Sequence, residues 1–136
     1  MAFFQLSFTR RAAYSSIAPG INLETTLRFG ESYINCDAKV DTGAEVCLFQ
    51  RAIGEALGIP IEDGSKKSSE TLTGVLSSYG HEVILEVLGL QIQTVVYFAE
   101  SGEVRRNLLG RQGWLQIIKL GIVDYDSELY LGLYDE

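Results

Sequence analysis

Apolar and polar residues alternate with a period of two along most of the chain, and the apolar positions are rich in Val, Ile, Leu, Phe and Tyr. This pattern is typical of β-strands that bury one face. It predicts strands at residues 3–8, 23–29, 32–40, 69–73, 76–88, 90–99 and 128–134, with glycines between several of them. The fold is therefore predicted to be mainly β, with a tight hairpin turn at Gly89-Leu90.

Only two segments have a helical pattern. Residues 50–57 end at Gly58, with Pro60 beyond it, which supplies a left-handed stop and then prevents the helix from continuing. Residues 112–120 carry apolar side chains at the i, i+3 and i+4 spacing and end at Gly121. We therefore predict one short helix in the middle of the chain and one C-terminal helix.

The composition indicates one globular domain spanning residues 1–136. A hydrophobic share of 46% with 21% charged residues is ordinary for a folded domain. No internal repeat interrupts the chain, and the N-terminus lacks the basic region of a signal peptide. No apolar run reaches the roughly 20 residues that cross a bilayer. We expect a soluble, cytoplasmic protein without a membrane partner, in which Cys36 and Cys47 are reduced thiols.

The net charge of −7 argues against a nucleic-acid partner, because basic residues supply most of the affinity for phosphate backbones. The nearest approaches to a basic stripe are the pairs Arg10-Arg11, Lys66-Lys67 and Arg105-Arg106. We interpret these pairs as solvated surface.

One segment carries candidate chemistry. Residues 39–46 read Lys-Val-Asp-Thr-Gly-Ala-Glu-Val. They place the acid Asp41, the hydroxyl of Thr42 and the glycine Gly43 between two apolar runs. A carboxylate near a core needs hydrogen bonds, which Thr42 and nearby backbone amides could donate. From the residues alone, Asp41 could equally belong to a capped turn.

Three features resemble the retropepsin family of aspartic peptidases. Val-Asp-Thr-Gly-Ala at residues 40–44 resembles the active-site signature, in the D-T-G-A form typical of retropepsins. Asn-Leu-Leu-Gly-Arg at residues 107–111 resembles the apolar-Gly-Arg segment that enters the C-terminal helix of the family. Residues 68–80 lie where the family has its flap hairpin. The resemblance extends from about residue 23 to the C-terminus, is strongest to bacterial single-domain members, and implies a closed β-barrel.

The resemblance implies an aspartic endopeptidase that works as a homodimer on peptide or protein substrates. Peptide hydrolysis by this route needs two facing carboxylates, and the chain has a single D-T-G. Two copies of Asp41 would therefore meet across a two-fold axis and activate a water molecule between them. No metal and no cofactor is expected.

Supporting roles follow from the same resemblance. Thr42 should bond to its mate across the axis and hold the loops rigid, Gly43 should let the substrate backbone approach closely, and Ala44 should support the active site with them. Glu45 and Arg111 should form an ion pair that braces the dimer. The flap is expected at Thr71, Leu72, Thr73, Gly74 and Val75, whose single glycine departs from the glycine-rich retroviral tip. The terminal strand at residues 128–134 is predicted to lie at a sheet edge and to contribute to the dimer interface.

Other catalytic systems fit the sequence poorly. His81 is the only histidine, so Ser-His or Cys-His chemistry would depend on it alone. No metal-binding or phosphate-binding motif is present. The alternative that stays open is a dimeric retropepsin-like module that binds or assembles with little or no peptidase activity, because a fold does not determine a function.

Overall fold

The computed structural model describes all 136 residues and is mainly β. It contains one α-helix, α1 (Arg51–Ala56), and two single 3₁₀ turns at Ile61–Asp63 and Asp124–Asp126. The ten strands are β1 (Arg10–Ala13), β2 (Asn22–Phe29), β3 (Ser32–Val40), β4 (Leu48–Phe49), β5 (Ser65–Thr71), β6 (Gly74–Val87), β7 (Leu90–Ala99), β8 (Leu108–Leu109), β9 (Ile118–Val123) and β10 (Glu128–Leu133). No helix is long and apolar enough to cross a membrane.

The strands form two sheets. Seven of them are hydrogen-bonded in the order β2-β3-β8-β4-β7-β6-β5, and β2 pairs with β6 as well, so this sheet curls back on itself. The other three form a smaller sheet in the order β1-β10-β9. The mainly β prediction is confirmed, whereas the closed barrel stays a prediction.

Alternating burial explains why these segments are strands. In β2, Leu23, Thr25 and Leu27 are buried while the residues between them are more exposed, so one face of the strand packs on the core. The β6–β7 hairpin turns at Leu88 and Gly89, one residue earlier than predicted. Both have positive φ, 51° and 80°, as a type I′ turn requires.

The core is formed by residues from both the curled sheet and the smaller sheet. Its largest fully buried side chains include Trp114, Phe49, Phe98, Leu109 and Leu131, which come from both sheets and from the connection between β8 and β9. The short helix predicted at residues 50–57 matches α1, whose inner face contributes Ile53 to this core.

The predicted C-terminal helix is wrong. Residue 112 forms an isolated bridge, residues 113–117 form consecutive turns, and the chain then enters β9, which pairs with β10 along its whole length. Gly113 explains the failure, because its φ of +97° lies outside the helical region. The helical spacing of the apolar residues arises from a compact turn in which Leu115 N donates to Gly110 O at 3.0 Å.

At the termini, the strand predicted at residues 3–8 and the edge position predicted for the strand at residues 128–134 are also wrong, although that second strand itself is present as β10. Residues 3–8 are irregular, and Phe3, Phe4 and Leu6 are exposed, so their alternation does not bury a face. The strand β10 lies between β1 and β9 and is not an edge. Sequence alternation could not reveal this, because the position of a strand in its sheet depends on its partners.

Candidate active site

Asp41 follows directly after β3, where that strand runs parallel to β8. Lys39 pairs with Leu108 and Val40 with Leu109, and the backbone N of Asp41 then donates to the Leu109 carbonyl oxygen at 3.0 Å. Because Leu109 is fully buried, this bond fixes the start of the loop to the core. The Asp41 side chain is half-buried.

The Asp-Thr-Gly-Ala turn is closed by its own hydrogen bonds. Gly43 N donates to the Asp41 Oδ1 atom at 3.0 Å, and Ala44 N donates to the Asp41 carbonyl oxygen at 3.1 Å. The turn thus gives a partly buried carboxylate the amide donor that it needs. Thr42 and Gly43 are exposed, and the Thr42 hydroxyl has no hydrogen-bond partner within the chain.

The segment around Arg111 holds the second half of this loop. Arg111 N donates to Ala44 O at 2.9 Å, and Gln112 N donates to Glu45 O at 2.8 Å. Val46 and Gln112 also form an isolated parallel bridge. The two sequence features that resembled retropepsins are therefore adjacent in space and joined by backbone hydrogen bonds.

Gly110 makes this close approach possible. A Cβ at this position would lie 2.7 Å from the Val46 carbonyl carbon and 2.9 Å from the Ala44 carbonyl oxygen, and closer still to the Val46 oxygen. Its backbone N also donates to the Cys47 sulfur at 3.4 Å. Cys47 is fully buried, and this burial raises the pKa of its thiol to about 11 although the Gly110 bond opposes the shift. The apolar-Gly-Arg pattern thus has a steric cause.

The expected ion pair between Glu45 and Arg111 does not form in this chain. The Glu45 carboxylate instead accepts a hydrogen bond from the Lys67 ammonium on β5 at 3.1 Å, and Arg111 takes part in none of the four salt bridges. Lys67 is half-buried while Lys66 is exposed, because adjacent residues of a strand face opposite sides. The interpretation of both lysines as solvated surface therefore holds for Lys66 and is wrong for Lys67.

A polar cleft of about 420 Å³ lies beside the Asp-Thr-Gly turn. Its lining contains no hydrophobic residue and consists of Thr42, Gly43, Glu45, Arg111, Gln112 and Gln116. Glu45 and Arg111 therefore share a cleft without forming a salt bridge. The candidate residues Asp41, Thr42, Gly43, Ala44, Glu45 and Arg111 are all brought together on this loop and its support.

The expected flap is a β-hairpin of β5 and β6 whose two turn residues are Leu72 and Thr73. The Thr71 hydroxyl donates to Gly74 O at 2.8 Å, which stiffens the turn, and Gly74 has a φ of +134° that side chains rarely adopt. The apolar side chains of Leu72 and Val75 are exposed at the tip. Lys67 links this hairpin to the Asp41 loop through Glu45.

No protein-family model matches the sequence, and neither does any curated protein. Solved structures do resemble the fold. A retropepsin-like aspartic protease from Rickettsia conorii is 15% identical, with a TM-score of 0.65 over 91% of this chain and 99% of that one. The EIAV protease, solved with the inhibitor HBY-793, is 18% identical, with a TM-score of 0.53 over 71% of this chain and 86% of that one. The chain therefore has a retropepsin-like fold.

Proposed function

We propose that this protein is a homodimeric aspartic endopeptidase in which each subunit contributes Asp41. The observation that carries the proposal is the Asp41 turn, whose half-buried carboxylate is fixed by Gly43 N and whose backbone is tied to the buried β8 strand. A rigid, partly buried acid suits general acid–base chemistry on a bound peptide. The curled sheet, with its additional β2–β6 pairing, supports the closed barrel that would hold this acid in place.

Two copies are required because the chemistry needs two acids and the chain provides one Asp-Thr-Gly. Two carboxylates about 3 Å apart repel by roughly 5 kcal/mol at an effective dielectric constant near 20, so the pair holds one proton between them. The ionised carboxylate takes a proton from the water that attacks the peptide carbonyl, and the protonated one donates to the carbonyl oxygen.

The neighbouring residues have supporting roles in this proposal. The exposed Thr42 hydroxyl has no partner within the chain, which leaves it free to bond to its mate across the two-fold axis. Gly43 and Ala44 leave room for the substrate backbone beside Asp41. The hairpin tip with exposed Leu72 and Val75 then covers an extended peptide, which pairs with it as an added strand.

The test compares wild type, Asp41→Asn and Asp126→Asn on a peptide library from acidic to neutral pH. Asp126 is an exposed acid without a hydrogen bond or ion pair, so its amide variant is a matched control. We expect Asp41→Asn to lower kcat at least about 10³-fold and Asp126→Asn to leave it unchanged. Absence of cleavage by wild type would favour the binding or assembly module instead.

A mixing experiment tests whether the active unit is the pair. If wild type and Asp41→Asn are refolded together in equal amounts, random pairing leaves roughly a quarter of the dimers with two acids. Activity should then be about a quarter of that of an all-wild-type sample at the same total concentration. Retention of one half would mean that each chain acts alone, which contradicts the proposed dimer.

A further inference from the structure

A second cleft, which we name the basic recess, opens along the β3–β8 pair that leads to Asp41. Its volume of about 350 Å³ exceeds the roughly 30 Å³ share of one water molecule more than tenfold. Three cations, Lys39, Arg105 and Arg106, and a single acid, Asp37, line it. The other polar lining residues are amides that can also donate hydrogen bonds, namely Asn22, Gln50 and Asn107.

The three cations of the basic recess are not neutralised within the chain. The four salt bridges of the structure use Arg28, Arg51 and Lys67 as their cations. Neither Lys39 nor Arg105 nor Arg106 donates a side-chain hydrogen bond. A net positive lining on a chain of net charge −7 is therefore available to an external anion.

The walls of the basic recess are held in place. The Asn107 side chain accepts from Gln50 N at 3.0 Å and donates to Asp37 O at 3.0 Å, which joins three separate segments. The stem of Lys39 lies against Gly20, where an added Cβ would be 2.8 Å from Cε. Because Asn107 and the stem of Lys39 are already held, binding at these two residues costs a ligand less entropy, whereas Arg105 and Arg106 are exposed.

The position of the recess relates it to the candidate active site. Lys39 lies on β3 two residues before Asp41, which directly follows the strand, so the two residues are about 7 Å apart at roughly 3.3 Å per residue. Leu108 of the recess pairs with Lys39, and the next residue, Leu109, accepts the Asp41 N–H. The spacing of about 7 Å equals two residues of an extended peptide.

We propose that the basic recess binds a carboxylate side chain of the substrate, so that the enzyme selects acidic peptides. The inference rests on the proposed function and specifies its substrate class. A carboxylate would receive charge-assisted hydrogen bonds from Arg105 and Arg106, beside the Lys39 ammonium. In a symmetric dimer the recess occurs twice, so the preference for Glu or Asp applies on both sides of the scissile bond.

The test uses peptides of one apolar sequence that carry Glu, Gln or Lys at each position within three residues of the scissile bond. For wild type we expect kcat/KM to be about fivefold higher for Glu than for Gln at the best position, and lowest for Lys. Arg105→Glu and Arg106→Glu should each reduce the Glu to Gln ratio to about one or below. Arg11→Glu makes the same charge change on β1, which contributes no residue to the recess lining, and should leave the ratio within about twofold.

Peptide binding to Asp41→Asn, followed by fluorescence anisotropy, separates this inference from the proposed function. Cleavage without a Glu preference would overturn the recess assignment and leave the protease proposal intact. If wild type cleaves nothing, the protease proposal fails. The recess assignment is still supported in that case if the Glu peptide binds more tightly than the Gln peptide and if Arg106→Glu abolishes this difference. The recess assignment would be overturned if the Glu, Gln and Lys peptides bound equally, or if Arg11→Glu changed binding as much as Arg106→Glu does. It would also be overturned if inorganic phosphate competed as well as the Glu peptide does.

Discussion

Replacement of Gly110 by alanine tests whether the Asp41 loop depends on close backbone contact. The new methyl group would lie 2.7 Å from the Val46 carbonyl carbon and 2.9 Å from the Ala44 oxygen. All its nearest neighbours are backbone atoms, so no flexible side chain can move aside. The loop must therefore separate from the Gly110–Gln112 segment that supports it.

The cost follows from the contacts that this separation breaks. Overpacking in a buried site destabilises by about 1–3 kcal/mol. Loss of the bonds from Arg111 N to Ala44 O and from Gln112 N to Glu45 O adds about 1 kcal/mol each. The total of about 3–5 kcal/mol is a large share of the roughly 5–15 kcal/mol that stabilises a typical domain, and it corresponds to a fall in Tm of roughly 12–20 °C.

Thermal and urea unfolding of wild type, Gly110→Ala and Gly102→Ala measure this effect. Gly102 is a matched control because an added Cβ there meets nothing within 4 Å and its φ is not in the left-handed region. Its variant should stay within about 0.5 kcal/mol of wild type. A Gly110→Ala protein with the wild-type Tm, or equal losses in both variants, would refute the steric argument.

Two further predictions concern the same region. Lys67→Met should lower the free energy of unfolding by less than about 1 kcal/mol, because Glu45 is exposed, yet it should speed amide hydrogen exchange in the hairpin at residues 65–80. The double variant Glu45→Lys with Lys67→Glu reverses the ion pair and should restore the wild-type exchange rates. Unchanged exchange in Lys67→Met would show that the ion pair does not restrain the flap. Burial raises the pKa of the Cys47 thiol from 9.0 in the unfolded chain to about 11 in the folded protein, so as the pH rises the unfolded chain releases the thiol proton at a lower pH than the folded protein does. The contribution of the protonated thiol to the free energy of unfolding is therefore complete below pH 9 and is lost as the pH rises towards 11. The free energy of unfolding, measured with urea, should therefore fall by about 2–3 kcal/mol more between pH 9 and pH 11 in wild type than in Cys47→Ala. Equal falls in the two proteins would show that the pKa of Cys47 is not raised in the folded protein.

The strands of this protein could be predicted because their signal is local. Alternation in β3 gave its bounds without error, and β2 and β7 differ by at most one residue from the prediction. The helix predicted at residues 112–120 failed for the opposite reason. Its apolar spacing suits both a helix and a compact turn, and Gly113 decides for the turn, because its φ of +97° is outside the helical region.

Only the residues of the contiguous sequence motif could be predicted for the candidate site. Asp41, Thr42, Gly43 and Ala44 could be identified because the motif is contiguous, whereas the partner of Glu45 could not. The choice between Arg111 and Lys67 depends on which strand lies beside the loop, and that is a property of the sheet. The three cations of the basic recess likewise come from two distant segments, Lys39 on one and the adjacent Arg105 and Arg106 on the other, so their convergence was not visible in the sequence.

The contacts that fix Asp41 are non-local, so we expect the site to form late in folding. Cys47 and Gly110 are 63 positions apart, and the Asp41 loop is ordered only when β3, β8 and the Gly110 segment are in place. Such non-local contacts make the loop dependent on the cooperative fold of the whole domain. The folded loop then directs its ordered backbone bonds inward and leaves Thr42 and Gly43 exposed. In the proposed enzyme, a complete domain is therefore the precondition for pairing, and pairing is the precondition for catalysis.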